Sequence, residues 1–358
     1  MSSSFGERVR FQIFGQSHGA AIGVIIDGLP AGELIDIDEL RAFLARRAPG
    51  NAAYATRRKE ADEPEFLSGL IGGYTCGAPV CAVIQNTNAH SGDYQNLNTV
   101  PRPGHADYAA MLRDGEHADL RGGGHFSGRL TAPLCVAGGI AKQLLSRRGI
   151  TVGAHIASIA GLTDKPYHPV AVTKEELLNT TKSEFPVLDP EAGARMQDAI
   201  ARAAEEGDSV GGVVECCAIG IEPGNLGRGM FGGIESRLAP VLFGIPAVKG
   251  IEFGLGFAAA TLRGSQNNDP FAITDGRIAP ISNNHGGVLG GISTGLPLIF
   301  RVAFKPTPSI AKPQQSADIK TLEPVTLEIR GRHDPCIVPR AVPVVEAAAA
   351  CVLLDMMF

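Results

Sequence analysis

Residues 341–358 form one nearly unbroken apolar stretch, interrupted only by Glu346 and Asp355. A helix that is apolar on every side has no solvent face, so other elements must enclose it. No uncharged apolar run reaches the ~18 residues that suggest a membrane span. The stretch therefore reads as a core helix over 341–356. Residues 133–145 are small and apolar and suit a second buried helix, with Arg147 and Arg148 near its end and Gly149 stopping it. A fold built on such helices needs sheets to cover them. Segments 9–13, 21–26, 80–84, 213–221 and 298–304 are rich in apolar and β-branched residues and read as strands. Segment 38–47 places Leu40, Phe43 and Leu44 on one helical face, with Asp36 or Asp38 as cap. Helices are also expected over 189–206, with Pro190 in its first turn, and over 230–242.

Strands and helices alternate without regular βαβ spacing. This favours an α+β fold, with helices packed on antiparallel sheets. No repeat, low-complexity tract or linker divides the 358 residues, so a single domain over 1–358 is expected. Glycine (45) and proline (24) together make up about 19% of the chain, against roughly 12% on average. Many turns and close backbone approaches follow. A net charge of −5 argues against nucleic-acid binding through a bulk basic surface. The N-terminus lacks the apolar core of a signal peptide, and seven scattered cysteines form no CxxC pair. A cytoplasmic protein with reduced cysteines, no structural metal and no membrane partner is expected.

Four glycine-punctuated polar segments carry the chemistry. They are Gly15-Gln16-Ser17-His18-Gly19, Arg102-Pro103-Gly104-His105-Ala106-Asp107, Arg121-Gly122-Gly123-Gly124-His125-Phe126-Ser127-Gly128-Arg129 and Gly331-Arg332-His333-Asp334-Pro335-Cys336. Glycine lets backbone N–H groups approach a ligand, arginine offers a planar fork to phosphate or carboxylate, and histidine exchanges a proton near neutral pH. Convergence of these loops would make a pocket for a small polyanion. Taken singly, each reads more often as a tight turn with a surface histidine than as a site. Ser17 and His18 are expected not to form a dyad, because neighbours on an extended strand point to opposite faces. Gly254-Leu255-Gly256-Phe257-Ala258-Ala259 matches GxGxxA, but its flanks lack the βαβ context of a nicotinamide site. There is no GxxxxGK[ST], HExxH or GxSxG.

At these segments the chain resembles the chorismate synthase family. The resemblance runs nearly end to end. It includes Arg46-Arg47-Ala48-Pro49-Gly50, Arg58-Lys59-Glu60, Arg263-Gly264-Ser265-Gln266-Asn267, Lys305-Pro306-Thr307-Pro308-Ser309 and Arg340-Ala341-Val342-Pro343. It implies a β-α-β sandwich of antiparallel sheets around long helices, usually as a homotetramer. The implied reaction is the anti-1,4-elimination of phosphate from 5-enolpyruvylshikimate 3-phosphate (EPSP), giving chorismate. Reduced FMN is required without net redox change, so a flavin reductase or other external supply of reduced flavin is implied. By this resemblance Ser17, His18, Arg46, Arg47, Arg58, Ser127, Arg129 and Arg332 face the substrate. His105, Ser127, Gly128, Asn267, Lys305, Thr307, Ser309 and Arg332 face the flavin. His18 would donate to the departing phosphate, His105 would sit near flavin N1, and Asp334 would serve the N5 region.

The chain departs from the family's usual pattern in five places. Gln16 stands for Glu, Ala48 and Ala53 for Arg, His125 for Arg and Leu130 for Glu. Either neighbouring cations compensate, with His125 as a phosphate contact or a structural turn residue, or the substrate has changed. The alternative function is a paralogous flavin-dependent enzyme acting on a related anionic substrate; a nicotinamide-dependent enzyme on the same scaffold and a non-catalytic flavin- or metabolite-binding protein are the other rivals.

Overall fold

In a computed structural model of the chain, residues 3–48, 62–86, 99–274, 276–329 and 334–358 are described. Two five-stranded sheets carry the fold. The first runs Ser4–Phe5, Arg10–Gly15, Ala21–Asp27, Val80–Gln85, Glu65–Ser68, and the second Val248–Phe253, Leu298–Phe304, Gly212–Ile219, Thr151–Ile159, Leu162–Thr163. Every neighbouring pair in both is antiparallel. The central strands are apolar on both faces. In the first sheet Ile22 stands opposite Ile84 and Val24 opposite Ala82, all four buried.

Helices lie between the sheets. The Thr131–Arg147 helix packs on the first sheet and against the Val338–Met357 helix, which in turn covers the second. From Val338 to Asp355 only Arg340 of the C-terminal helix is not buried, as expected of a helix without a polar face. The two helices touch closely because Gly138 has no side chain; a Cβ there would lie 2.2 Å from Ala347 Cα. Small residues at a crossing let backbones approach within van der Waals distance. The Ile37–Arg47 helix joins this layer, capped by Asp36, whose carboxylate accepts from the N–H groups of Asp38 and Glu39.

Both acids that interrupt the apolar stretch are buried, and both have partners. Asp355 accepts from the backbone N–H of Glu7, Arg8 and Val9 at 2.7–3.1 Å and from Arg237, tying the C-terminal helix to the entry of the first sheet. Glu346, with no exposed side-chain surface, binds Arg46 through two bonds of 2.9 and 2.6 Å and also meets Lys142. In the second sheet, buried His155 bridges Asp164 and Glu215, 3.0 Å from each. Burial would push its imidazole down, but the two carboxylates outweigh this and hold it above its ordinary value.

The expected α+β sandwich is present, with one correction to its helices. The helix expected over 230–242 is Ile234–Phe243, because Gly232 and Gly233 hold the preceding residues in a turn and leave Met230 and Phe231 exposed. The seven cysteines are free, five of them buried. Among the described residues no helix is long and apolar enough to cross a membrane, and no group of His, Cys, Asp and Glu could hold a metal.

Candidate active site

The segment Arg121–Phe126 is the hub of the site. Gly122, Gly123 and Gly124 have φ of 58°, 90° and 55°, a left-handed run open only to glycine at low cost. Each glycine seats a different neighbour. A Cβ on Gly122 would lie 2.1 Å from the His18 ring, one on Gly123 would lie 3.1 Å from the His105 ring, and one on Gly124 would lie 2.0 Å from the Asp119 carbonyl. Two histidines from distant parts of the chain thus rest on consecutive glycines.

The first histidine loop is pinned from both sides. Ser17 N–H donates to the Gly124 carbonyl at 3.1 Å. Its hydroxyl donates to the Arg121 carbonyl and lies 3.1 Å from His18 Nδ1. The hydroxyl has one proton, so Nδ1 donates to it. This corrects the geometry behind the expectation of no dyad: the strand ends at Gly15, and the pair sits in a turn where alternation no longer holds, yet the hydroxyl proton goes to the Arg121 carbonyl and not to the imidazole. His125 is held similarly, donating from Nδ1 to the Gly15 carbonyl at 2.7 Å with Nε2 2.6 Å from Ser3 Oγ. Both nitrogens are engaged within the protein, which favours the structural turn reading of His125 over a phosphate contact.

The second loop is closed by Asp107, which opens the Asp107–Asp114 helix. It accepts from His105 Nδ1 at 2.6 Å and from Arg102 Nε and Nη2 at 2.6 and 2.8 Å. Burial pushes the Asp107 carboxyl up, but the hydrogen bonds and charges of Arg102 and His105 outweigh it and hold the group far below the usual carboxylate range. Arg102 also reaches Ser309 Oγ at 3.3 Å, and Lys305 Nζ donates to the Gly104 carbonyl. Burial and nearby Lys249 lower the Lys305 ammonium. Thr307 lies between Lys305 and Ser309 in sequence, and its buried hydroxyl has no hydrogen-bond partner among the described residues.

On the other side of the hub, Ser127 caps a short turn and accepts from Arg129 N–H at 3.3 Å. Arg129 and Arg47 share buried Asp62: Arg47 Nε lies 2.6 Å from Oδ2, and Arg129 Nη1 binds Oδ1. Burial raises the Asp62 carboxyl, and the two guanidiniums outweigh it and keep it ionised. Arg340 extends the chain of charges, donating to the Arg47 carbonyl at 2.9 Å and to Asp334 at 2.6 Å.

Ser17, His18, His105, Ser127, Gly128, Arg129, Arg47, Asp334, Lys305, Thr307 and Ser309 are thus linked through one set of loops. Arg46 is engaged with Glu346 in the helical layer; successive helical residues point ~100° apart, so Arg46 and Arg47 diverge. Asn267 ends the short Gly264–Asn267 helix against Asn284, and no described hydrogen bond joins it to the histidine loops. Its buried Oδ1 also has no partner among the described residues. Arg58 and Arg332, with Ala53, lie outside the described residues. Sequence reasoning gave no role to Asp62, Asp107 or Arg340. Only Asp107 carried a local signal, a carboxylate two residues after a histidine.

The chorismate synthase family model matches residues 9–358. A chorismate synthase of Thermococcus kodakarensis is 49% identical over 350 residues, covering 98% of this chain and 96% of that one. One of Dehalococcoides mccartyi is 48% identical over 357 residues, covering 99% and 96%. A crystal structure of a chorismate synthase superposes with a TM-score of 0.73 at 30% identity, covering 98% of this chain and 92% of the other.

Proposed function

The chain belongs to the chorismate synthase family of lyases, and from that premise we propose that it eliminates phosphate from EPSP to give chorismate, with reduced FMN bound at the linked loops. The observation that carries this reading is the seating of His18 and His105 on adjacent glycines, with Arg129 and Lys305 flanking them. A substrate with one phosphate and two carboxylates needs concentrated cations and donors, which a chain of net charge −5 must gather locally.

The residues present suit a flavin phosphate and ring. Lys305 supplies a cation, Ser309 and Thr307 supply hydroxyls, and the unpartnered Thr307 Oγ1 and Asn267 Oδ1 are buried polar atoms that a ligand would satisfy. Ser127 and Gly128 complete the proposed cofactor wall, with Arg332 by family resemblance. Held by these residues, the reduced flavin would supply electron density for the elimination. The protein positions both molecules and moves protons. His18 donates to the leaving phosphate, His105 holds a proton beside the flavin, and Asp334, oriented by Arg340, serves the hydrogen removed from the ring. Ser17, Arg47, Arg58 and Arg129 complete the substrate wall; Arg46 supports it from the core. The reading includes a single domain, reduced flavin supplied from outside the chain, a cytoplasmic setting and homotetrameric assembly. Exposed Phe271, Ile273, Ile278 and Ile281 on one hairpin support self-association.

An anaerobic assay with EPSP and chemically reduced FMN tests the reaction. Chorismate absorbance is expected to rise without net flavin oxidation. Absence of product, or stoichiometric NAD(P)H oxidation coupled to product, would overturn the reading. For the cofactor wall, Thr307→Val is expected to raise the Kd for FMN about tenfold, as the loss of one hydrogen bond to a charged group predicts. An unchanged Kd by fluorescence titration would remove Thr307 from the wall.

A further inference from the structure

Asp107 has the geometry of an orienting group. Its side chain is 1% exposed, whereas the His105 side chain keeps 15% of its surface accessible. The carboxylate receives the Arg102 backbone N–H at 3.1 Å, Arg102 Nε and Nη2, and His105 Nδ1. An ionised carboxylate only accepts, so the 2.6 Å contact requires a proton on Nδ1. Arg102 Nη2 also passes 3.2 Å from Nδ1. Were Nδ1 to accept from it, a nitrogen lone pair would face a carboxylate oxygen at 2.6 Å, which is strongly repulsive. The opposite edge of the ring, Nε2 and Cε1, faces Gly123 at the hub. The charged groups around the ring are Arg102 and Asp107 on its own loop and Lys305, which reaches the Gly104 carbonyl from the facing loop.

We propose that Asp107 is a positioning residue: it holds His105 in the tautomer protonated on Nδ1 and so makes Nε2 the atom at which a proton is held or moved in the site. The role in turnover rests on the proposed function; the tautomer does not. The same carboxylate fixes Arg102, which reaches Ser309, so one buried group sets both the histidine and one edge of the proposed cofactor wall. Asparagine in place of Asp107 has one oxygen to offer two donor residues, Arg102 and His105. Arg102 cannot accept, so it claims that oxygen, and the amide NH2 turns to His105, forcing Nδ1 to accept and the proton to Nε2.

The test uses the full chain labelled with 15N-histidine, without ligand, at about pH 8, above the ordinary imidazole value of about 6.5. His105→Gln identifies the His105 signals. Two-bond 15N–1H correlations are expected to show the Nδ1–H form in the wild type and the Nε2–H form in Asp107→Asn. In the anaerobic assay Asp107→Asn is expected to lower kcat about 10²-fold or more, as a misplaced imidazole proton does elsewhere, with KM for EPSP changed less than about threefold. A wild-type His105 protonated on Nε2 overturns the proposal, and that spectrum decides even if the variant fails to fold. So does an Asp107→Asn protein with normal kcat, or one whose loss lies wholly in KM. If the wild type makes no chorismate, the proposed function fails while the tautomer is still read.

Discussion

Replacing Glu346 with alanine is expected to destabilise the protein by about 3–5 kcal/mol, the cost of breaking a buried ion pair from one side. Glu346 has no exposed side-chain surface and, among the described residues, is the only carboxylate paired with Arg46 and Lys142, themselves 15% and 18% exposed. The cost arises from stranding two cations in the helical layer. Burial pushes the Glu346 carboxyl up, but Arg46 and Lys142 outweigh it and lower it to about 2 from 4.5. A depressed folded value contributes stability that is fully present above the ordinary carboxyl value and is lost as pH falls. The gap between wild type and Glu346→Ala should therefore narrow as pH drops from 4.5 toward 2. Urea unfolding across that range checks both the size and the sign. A gap that stays constant with pH, or no gap at neutral pH, would show that the carboxylate does not stabilise the helices as an ion.

Gly122→Ala is expected to lower turnover about 10²-fold or more while leaving the fold intact. The added methyl would stand 2.1 Å from the His18 ring and 2.8 Å from Ser17 Oγ, so the ring must leave its seat. If His18 is the proton donor to the leaving phosphate, its displacement should match its removal, and loss of a general acid costs about 10²–10⁴-fold. His18→Ala is the reference. The left-handed backbone at residue 122 adds a strain of only about 1–2 kcal/mol, too small to unfold a chain of this size. Anaerobic turnover and urea unfolding, measured on both variants, separate chemistry from stability. Normal turnover in Gly122→Ala would mean that the position of His18 does not matter.

The helical core was legible because its signal is local and strong. The apolar stretch 341–356 became Val338–Met357, lengthened at its start where Pro339 suits a first helical turn. Strand Leu298–Phe304 matched its expected bounds. Strand Thr151–Ile159 was not foreseen, because Gly153, Ala154 and His155 are buried on a central strand and blur both alternation and apolarity. The Lys174–Lys182 helix was also missed, although its Thr173–Glu176 capping box is written in the sequence.

At the site, motif resemblance brought out most of the residues that the loops join. Pairings across long sequence distances were another matter. Nothing local announces that Asp62 bridges Arg47 and Arg129, or that Arg46 turns inward to Glu346, 300 positions away. The Ser17–His18 contact was misjudged because strand geometry was extended two residues past its end at Gly15. The departure at His125 became intelligible only with coordinates, which place both its nitrogens on the N-terminal strands and their edge.

A crystal structure of the full chain with FMN and EPSP tests the central claim most directly. The flavin is expected beside His105, Thr307 and Ser309, with the substrate phosphate within hydrogen-bond distance of His18. Either ligand bound in a cavity that lacks both histidines would contradict it.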